Sequence, residues 1–403
     1  MADGTKKFLT LDDIDVGGKR VVVRMDLNVP MAAGRVTDNT RIVRLLPTLK
    51  ELIAKKARII VMSHFGRPKG KFITDMSLAP LVDALAKVLP EAVIKFGVDC
   101  VGPEADASVA SLQPGEILLL ENLRFHAGEE KNDPVFAKAL AAHGDIYIND
   151  AFSSSHRAHA SVVGITEYLP AAAGRLMEDE LNNIERYFGQ VERPFAAVVG
   201  GAKVSTKLQL LESLIEKVDH LIIGGAMANT FAFAQGLPVG KSLCEQDLKE
   251  TALRILEQAK QRGCTIHLPQ DAIVADKFAA HAASDVTGME EIPSDSMILD
   301  VGPESVNQFA EVLKGAKTLL WNGPLGAFET SPFDVSTVSL ARVAAALTRK
   351  GALKSVAGGG DTVAAMTYSG LAERFSYLST AGGAFLEWLE GKVLPGVAAL
   401  EKR

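Results

Sequence analysis

The run Lys354-Ser355-Val356-Ala357-Gly358-Gly359-Gly360-Asp361-Thr362 joins a short apolar strand pattern to three glycines, a carboxylate and a hydroxyl. The helix-compatible Val363-Ala364-Ala365-Met366 follows. Three successive residues without a β-carbon let backbone N–H groups close on a large anion. A helix starting at Thr362 would add exposed N–H groups and the positive end of its dipole, which suits a phosphate. Asp361 beside a phosphate needs a cation between the two, and magnesium carried with a nucleotide supplies one. A closely packed strand-to-helix turn is the competing reading of this stretch alone.

A second constellation is cationic. Strand-like runs in the first half end at Arg24, His64, Arg67, Arg124, His156, Arg157 and His159, and Arg41 stands near a helix start. In open parallel sheets ligands sit beyond the carboxyl ends of the strands. Converging there, these side chains would form a pocket for a small, highly charged anion, because the planar guanidinium fork matches carboxylate and phosphate oxygens. Asp26 and Asn28 would add groups that recognise hydroxyls. The His156/His159 pair lacks an acidic or thiolate third ligand at suitable spacing, and Arg157 would repel a cation.

In the second half glycines replace arginines at the strand ends: Gly200-Gly201, Gly224-Gly225, Gly323 and Gly358-Gly359-Gly360. Such turns suit phosphate backbones and flat heterocycles. Lys203 and Lys207, four residues apart, are expected to share one helix face, Lys203 reaching a transferring phosphoryl group and Lys207 a nucleotide phosphate. Glu329 is a candidate acceptor for ribose hydroxyls. The chain has no G-x-x-x-x-G-K-[ST] loop, no G-x-G-x-x-G fingerprint and no G-x-S-x-G elbow, which disfavours dinucleotide dehydrogenases and serine hydrolases.

The elements that must position these residues alternate. Arg20–Arg24, Arg58–Met62, Glu116–Leu120 and Asp145–Ile148 read as strands. Thr40–Lys55, Leu78–Leu89 and Pro134–His143 read as helices, with Pro47 predicting a kink or a later start in the first. Strands at Ala196–Val199, His220–Ile223, Thr265–Leu268 and Thr318–Trp321 continue the pattern, which predicts parallel sheets with helices on both faces. Met177–Phe188, acidic in its first turn and followed by Gly189, is expected to be a connecting helix between two domains.

Composition sets the class. The 403 residues are 47% hydrophobic and 23% charged, with a formal net charge of −6, which argues for sizeable cores and against a general nucleic-acid binder. Cys100, Cys244 and Cys264 show no CxxC or Cys/His ligand spacing and read as reduced, mostly buried thiols. No apolar signal core or membrane-spanning run is evident, so the reading is a soluble cytoplasmic protein without nucleic-acid or membrane partners.

Assembled in order, RMDLNVP, DNTRI, SHFGRP, LLENLRFH, NDAFSSSHRAH, VVGGAKVSTK, IIGGAMANTF, LWNGPLGAFE, AGGGDT, STAGGAFLE and EGKVLPGV resemble phosphoglycerate kinases almost end to end. The resemblance implies an α/β monomer of two Rossmann-like lobes, each a parallel sheet flanked by helices, joined by a helix. Residues 1–175, completed by 391–403, would bind 3-phosphoglycerate; 176–189 would be the hinge helix; 190–390 would bind nucleotide. The implied reaction is reversible transfer of the acyl phosphate of 1,3-bisphosphoglycerate to ADP, giving 3-phosphoglycerate and ATP, with Mg2+ and hinge closure.

By the same resemblance Asp26, Leu27, Asn28, Arg41, His64, Phe65, Gly66, Arg67, Arg124 and Arg157 hold the phosphoglycerate. Lys207, Glu329, Gly358, Gly359, Gly360, Asp361 and Thr362 hold the nucleotide, with Asp361 on the magnesium. Arg41 and Lys203 would stabilise the phosphoryl group in flight. Met25 and Leu27 depart from the family's more usual Val and Phe, Ser153-Ser154-Ser155 stands where the family varies, and Ala381 replaces a frequent glycine. Another acyl-phosphate-forming carboxylate kinase, or a catalytically silent nucleotide-binding homologue, is the alternative.

Overall fold

The computed structural model describes residues 8–401. The first sheet has six parallel strands: β1 (Arg20–Met25), β2 (Arg58–Met62), β3 (Ile94–Gly97), β4 (Ile117–Leu120), β5 (Ile146–Asp150) and β6 (Ala171–Ala173). Their spatial order is β3-β4-β2-β1-β5-β6, so the direction of winding reverses between β1 and β5. The strands are apolar at nearly every position because both faces are covered. Val21, Val23, Ile59 and Val61 enter one core, while Val22, Ile60, Met62 and Tyr147 enter another. Period-two alternation thus feeds two cores, each fully buried aliphatic side chain contributing roughly 1.5–3 kcal/mol.

Helix α1 (Thr40–Ala54) runs unbroken through Pro47, without the predicted late start. Ile42, Leu45, Leu49 and Leu52 anchor its buried face. Pro47 and Val43 are exposed, so the Val43 carbonyl left without its intrahelical partner faces water. Helices α2 (Leu81–Val88), α3 (Pro103–Ala110) and α4 (Pro134–Ala141) complete this unit's crossovers.

Helix α5 (Arg175–Phe188) starts from a dense polar clamp. Asp150 Oδ1, at the end of β5, accepts from the N–H groups of Leu176 (2.9 Å) and Met177 (3.1 Å). Burial, the largest influence, raises the Asp150 carboxyl to about 6. Arg175 donates to Asp12, Glu51 and Glu178.

The second large sheet comprises β7 (Phe195–Val199), β8 (His220–Ile223), β9 (Thr265–His267), β13 (Thr318–Asn322), β14 (Lys354–Gly358) and β15 (Tyr377–Ser379), all parallel, in the order β9-β8-β7-β13-β14-β15. Winding reverses between β7 and β13. Between them in sequence lies a small antiparallel sheet that the sequence reading passed over: β10 (Asp271–Ala275) sits between β11 (Ser284–Gly288) and β12 (Met297–Val301). The covering helices are α6 (Leu208–Ile215), α7 (Ala226–Ala234), α8 (Lys249–Arg262), α9 (Pro303–Gly315), α10 (Val335–Arg349), α11 (Gly360–Tyr368) and α12 (Gly383–Leu389).

The chain divides into two compact units, with the boundary inside α5. One extends through Asn182 and is rejoined from Val393 onward; the other is Asn183–Lys392. In the first unit the returning segment meets the loop after β5, where Gly396 N donates to Ser155 O at 2.8 Å.

Candidate active site

The first unit gathers its cations beyond β1, β2, β4 and β5, around its switch point. Arg24 is fully buried, and its guanidinium donates to Ser161 Oγ (3.0 Å), the Met25 carbonyl and His64 Nδ1 (2.9 Å). A guanidinium only donates, so His64 Nδ1 accepts and the remaining proton sits on Nε2. Burial first, then the charges of Arg24, Arg124 and Arg157, holds His64 well below its usual pKa. His159 is pushed down to about 3 by burial and the same arginines. Around His64 and His159 the positive charge of this crevice therefore comes from guanidinium groups, and these two imidazoles are neutral.

Asp26 organises the opposite side. Its Oδ2 accepts from Arg41 Nη1 (3.0 Å) and Ser153 Oγ (2.5 Å), and its Oδ1 accepts from Asn28 N (3.0 Å). Arg41 Nη1 also donates to the Asn28 carbonyl at 2.9 Å. Asn28 Oδ1 accepts from Gly66 N (3.0 Å), and Arg124 Nη1 donates to Gly66 O (2.7 Å). Burial, then repulsion from Arg157, lowers Arg124 to about 10. Arg157 Nε donates to His156 Nε2 at 3.0 Å. Glu129, wholly buried, accepts from Ser161 N and Oγ and so lies behind Arg24 as a counter-charge, with burial raising its own pKa.

The second unit's switch point is built from backbone brought unusually close. A β-carbon on Gly200 would lie 1.8 Å from the Pro324 carbonyl oxygen. Lys207 Nζ bridges the two strand ends, donating to Gly200 O (2.5 Å), Asn322 O (3.2 Å) and Asn322 Oδ1 (2.6 Å). Asn322 Nδ2 in turn donates to Gly358 O (2.7 Å), and Gly323 N donates to Thr362 Oγ1 (2.6 Å). Gly359 adopts φ 101° and begins α11 at its next residue, as a left-handed position before a helix start requires. Burial lowers Lys207 to about 8, with Asp361 opposing.

Beside this cluster is a cavity of about 370 Å³, mostly apolar, lined by Gly201, Gly225, Leu243, Phe278, Met297, Leu325, Glu329 and Asp361 among others. Its size and flat glycine walls suit a heterocycle, with carboxylates placed for hydroxyls and a cation. Asp300 closes one wall and caps the start of α10 through Ser336 N (3.0 Å) and Oγ.

The model of the family described as "Phosphoglycerate kinase" matches residues 11–392. The protein belongs to the phosphoglycerate kinase family. A phosphoglycerate kinase of Cereibacter sphaeroides is 59% identical over 97% of this chain and 98% of its own. One from Sinorhizobium medicae is 57% identical over 98% and 99%. Among solved structures, the phosphoglycerate kinase of Coxiella burnetii superposes with a TM-score of 0.87 at 42% identity over 98% of both chains. That of Pyrococcus horikoshii gives 0.84 at 29% identity, over 97% of this chain and 98% of that one. The chain is a phosphotransferase with a carboxyl group as acceptor.

As phosphoglycerate kinase residues, the candidates fall into three groups. Asp26, Asn28, Arg41, His64, Gly66 and Arg124 form one linked network, and Arg157 lies close enough to depress His64 and Arg124. Arg67 is exposed beside it. Leu27 and Phe65 are different: the Leu27 side chain is in the core, and the Phe65 backbone is held by Asn122, so neither offers a polar side chain.

On the nucleotide side Lys203 and Lys207 do not share a helix face. Helix α6 begins only at Leu208, Lys203 is exposed, and Lys207 turns inward. Thr362 is buried with its hydroxyl oxygen occupied by Gly323, and the helix begins at Gly360 rather than at Thr362. Ala381 is not among the positive-φ positions, so the family's glycine is not required there. Ser153, Ser161, Glu129 and Asn322 were missing from the sequence-derived site. Each acts on another side chain, and no spacing rule marks such a partner.

Proposed function

We propose that this chain reversibly transfers the acyl phosphate of 1,3-bisphosphoglycerate to ADP, giving 3-phosphoglycerate and ATP. One observation carries the reading: the two sheets have switch-point crevices of opposite chemistry, guanidinium-rich in the first unit and glycine- and carboxylate-lined in the second. A compact polyanion suits the first; a nucleotide suits the second.

In the ATP-forming direction a β-phosphate oxygen of ADP attacks the acyl phosphate, and the carboxylate of 3-phosphoglycerate leaves. In reverse, that carboxylate attacks the γ-phosphorus of ATP. No proton needs to move in either direction, so positioning and charge stabilisation supply the catalysis. Arg124, Arg157 and the Nε2–H of His64 bind the phosphoglycerate oxygens, and Asp26 and Asn28 orient its hydroxyl. Arg41 has one terminal nitrogen tied to Asp26 and Asn28, which aims the rest of its fork at the phosphoryl oxygens. Exposed Lys203 adds a second positive charge in flight.

Mg2+ fits the residues present. Asp361 is exposed, lines the cavity, and makes no hydrogen bond or ion pair among the described residues, so its hard oxygens are available. Bound there with the nucleotide, the ion would neutralise phosphate charge. Lys207 holds a nucleotide phosphate and Glu329 the ribose hydroxyls. Each unit takes one ligand, so transfer to a carboxylate instead of water requires the loaded units to close, and α5 is the hinge we assign to that movement.

Backbone amide chemical shifts test the assignment. 3-Phosphoglycerate should perturb residues after β1, β2, β4 and β5, while Mg-ADP should perturb the turns after β7, β13 and β14. The reverse pattern, or both ligands perturbing one unit, would overturn it.

A further inference from the structure

A thiol, an imidazole and a carboxylate meet in the first unit apart from the network described above. Asp99 and Cys100 follow β3, while His126 follows β4 and the short turn Leu123–Phe125. The two strands are parallel neighbours with Gly97 opposite Leu120, so their ends deliver all three residues to one edge of the sheet. Asp99 Oδ1 accepts from Cys100 N and lies 2.6 Å from His126 Nε2. The candidate donor atoms of the three all fall within 4.8 Å of one another.

Both segments are held in place by further contacts. The His126 ring stacks on Phe136 with centroids 5.2 Å apart, and His143 Nε2 lies 3.0 Å from the Cys100 carbonyl. Cys100 is buried, whereas Asp99 and His126 are partly open to solvent. As it stands, burial and then the Asp99 charge keep the Cys100 thiol protonated, well above its usual pKa.

A dipositive ion placed among these groups would meet a thiolate, a carboxylate and a neutral imidazole, and the two negative charges would match its own. Sulfur, nitrogen and oxygen donors together suit Zn2+, whereas Mg2+ takes oxygen alone. This set is therefore chemically distinct from the Asp361 position. Ligand atoms around one Zn2+ lie roughly 3.5 Å apart. The ion would therefore take the place of the proton between Asp99 and His126, now 2.6 Å apart, and that pair would open by about 1 Å. The widest separation of the set, within 4.8 Å, would close by about as much. The solvent-facing side leaves room for water as a fourth ligand.

We propose that Asp99, Cys100 and His126 form a Zn2+-class metal site that clasps the end of edge strand β3 to the turn after β4. The ion is structural, and the site works independently of phosphoglycerate and nucleotide.

The test uses the full chain, stripped with a chelator and titrated with Co2+. One equivalent should bind with a thiolate-to-cobalt charge-transfer band in the near ultraviolet, displaced by Zn2+. Cys100→Ser should abolish the band. His126→Gln, on the half-exposed side, should weaken Co2+ binding by more than about tenfold. Cys244→Ser and Cys264→Ser should keep the band, and Zn2+ should raise the melting temperature of the wild type but not of Cys100→Ser. No band, a band surviving Cys100→Ser, or unchanged affinity in His126→Gln would overturn the proposal. None of these readouts involves either substrate, so failure here leaves the kinase reading untouched.

Discussion

Lys207 Nζ lies 2.6 Å from Asn322 Oδ1 and also holds the carbonyls of Gly200 and Asn322, so one ammonium ties together the two strand ends at the switch point of the second sheet. The group that would meet a nucleotide phosphate thus also ties together the turn that receives it.

That double duty has a pH signature. Burial lowers Lys207 to about 8, so in the free protein its charge is lost as pH rises through that value. ADP affinity should fall correspondingly above about pH 8, because a neutral amine attracts no phosphate. Calorimetric titrations across this range check it. Lys207→Arg should remove the fall, and an affinity flat with pH in the wild type would remove Lys207 from phosphate binding.

Arg41 is oriented by Asp26, and Asp26 by Ser153 at 2.5 Å. Arg41→Ala should lower kcat by orders of magnitude while leaving the ADP dissociation constant nearly unchanged. Ser153→Gly loses one hydrogen bond to a carboxylate, about 1.5–3 kcal/mol at most, so kcat/KM for 3-phosphoglycerate should drop roughly tenfold. A kcat within a few-fold of wild type in Arg41→Ala would refute its transition-state role.

Asp300 should make stability fall with rising pH. Burial raises its carboxyl to about 7, against about 4 in an unfolded chain. Between those values the folded state keeps a proton that the unfolded state has released. Its stabilising contribution is therefore fully present below about pH 4 and lost as pH rises through about 7. Denaturation midpoints from about pH 5 to 8 should decline less steeply in Asp300→Asn than in wild type; parallel curves would contradict this.

Gly200→Ala would place a methyl group 1.8 Å from the Pro324 carbonyl oxygen, and backbone cannot swing aside as a flexible side chain can. We expect a loss of about 3 kcal/mol or more, with nucleotide binding lost in whatever remains folded. Gly236→Ala meets no neighbour within 4 Å and should show only the roughly 1 kcal/mol strain of its left-handed backbone. Thermal melts of the pair separate the two mechanisms.

Strand-helix alternation and the cations at strand ends were legible because they depend on local pattern and on one rule about sheet edges. Val21-Val22-Val23 reads as a strand buried on both faces, and it is one. The small sheet around Asp271–Ala275 was not legible, since its antiparallel partners lie after it across an unpatterned stretch. Pro47 misled because the sequence does not say which carbonyl faces water. The inward turn of Lys207 was not legible because the acceptors that hold it, on Gly200 and Asn322, lie more than a hundred residues apart in the chain and meet only where two strands end side by side. The Asp99, Cys100 and His126 cluster escaped for the same reason: spacing along the chain hides a meeting made by two neighbouring strands.

The most direct measurement is acyl-phosphate trapping. The purified protein is incubated with Mg-ATP and 3-phosphoglycerate in hydroxylamine, beside acetate, aspartate and acceptor-free controls. Hydroxamate formed with 3-phosphoglycerate alone, and lost in Arg41→Ala, is the predicted result. Hydroxamate from acetate or aspartate, or none from 3-phosphoglycerate while ADP still binds, would contradict the account.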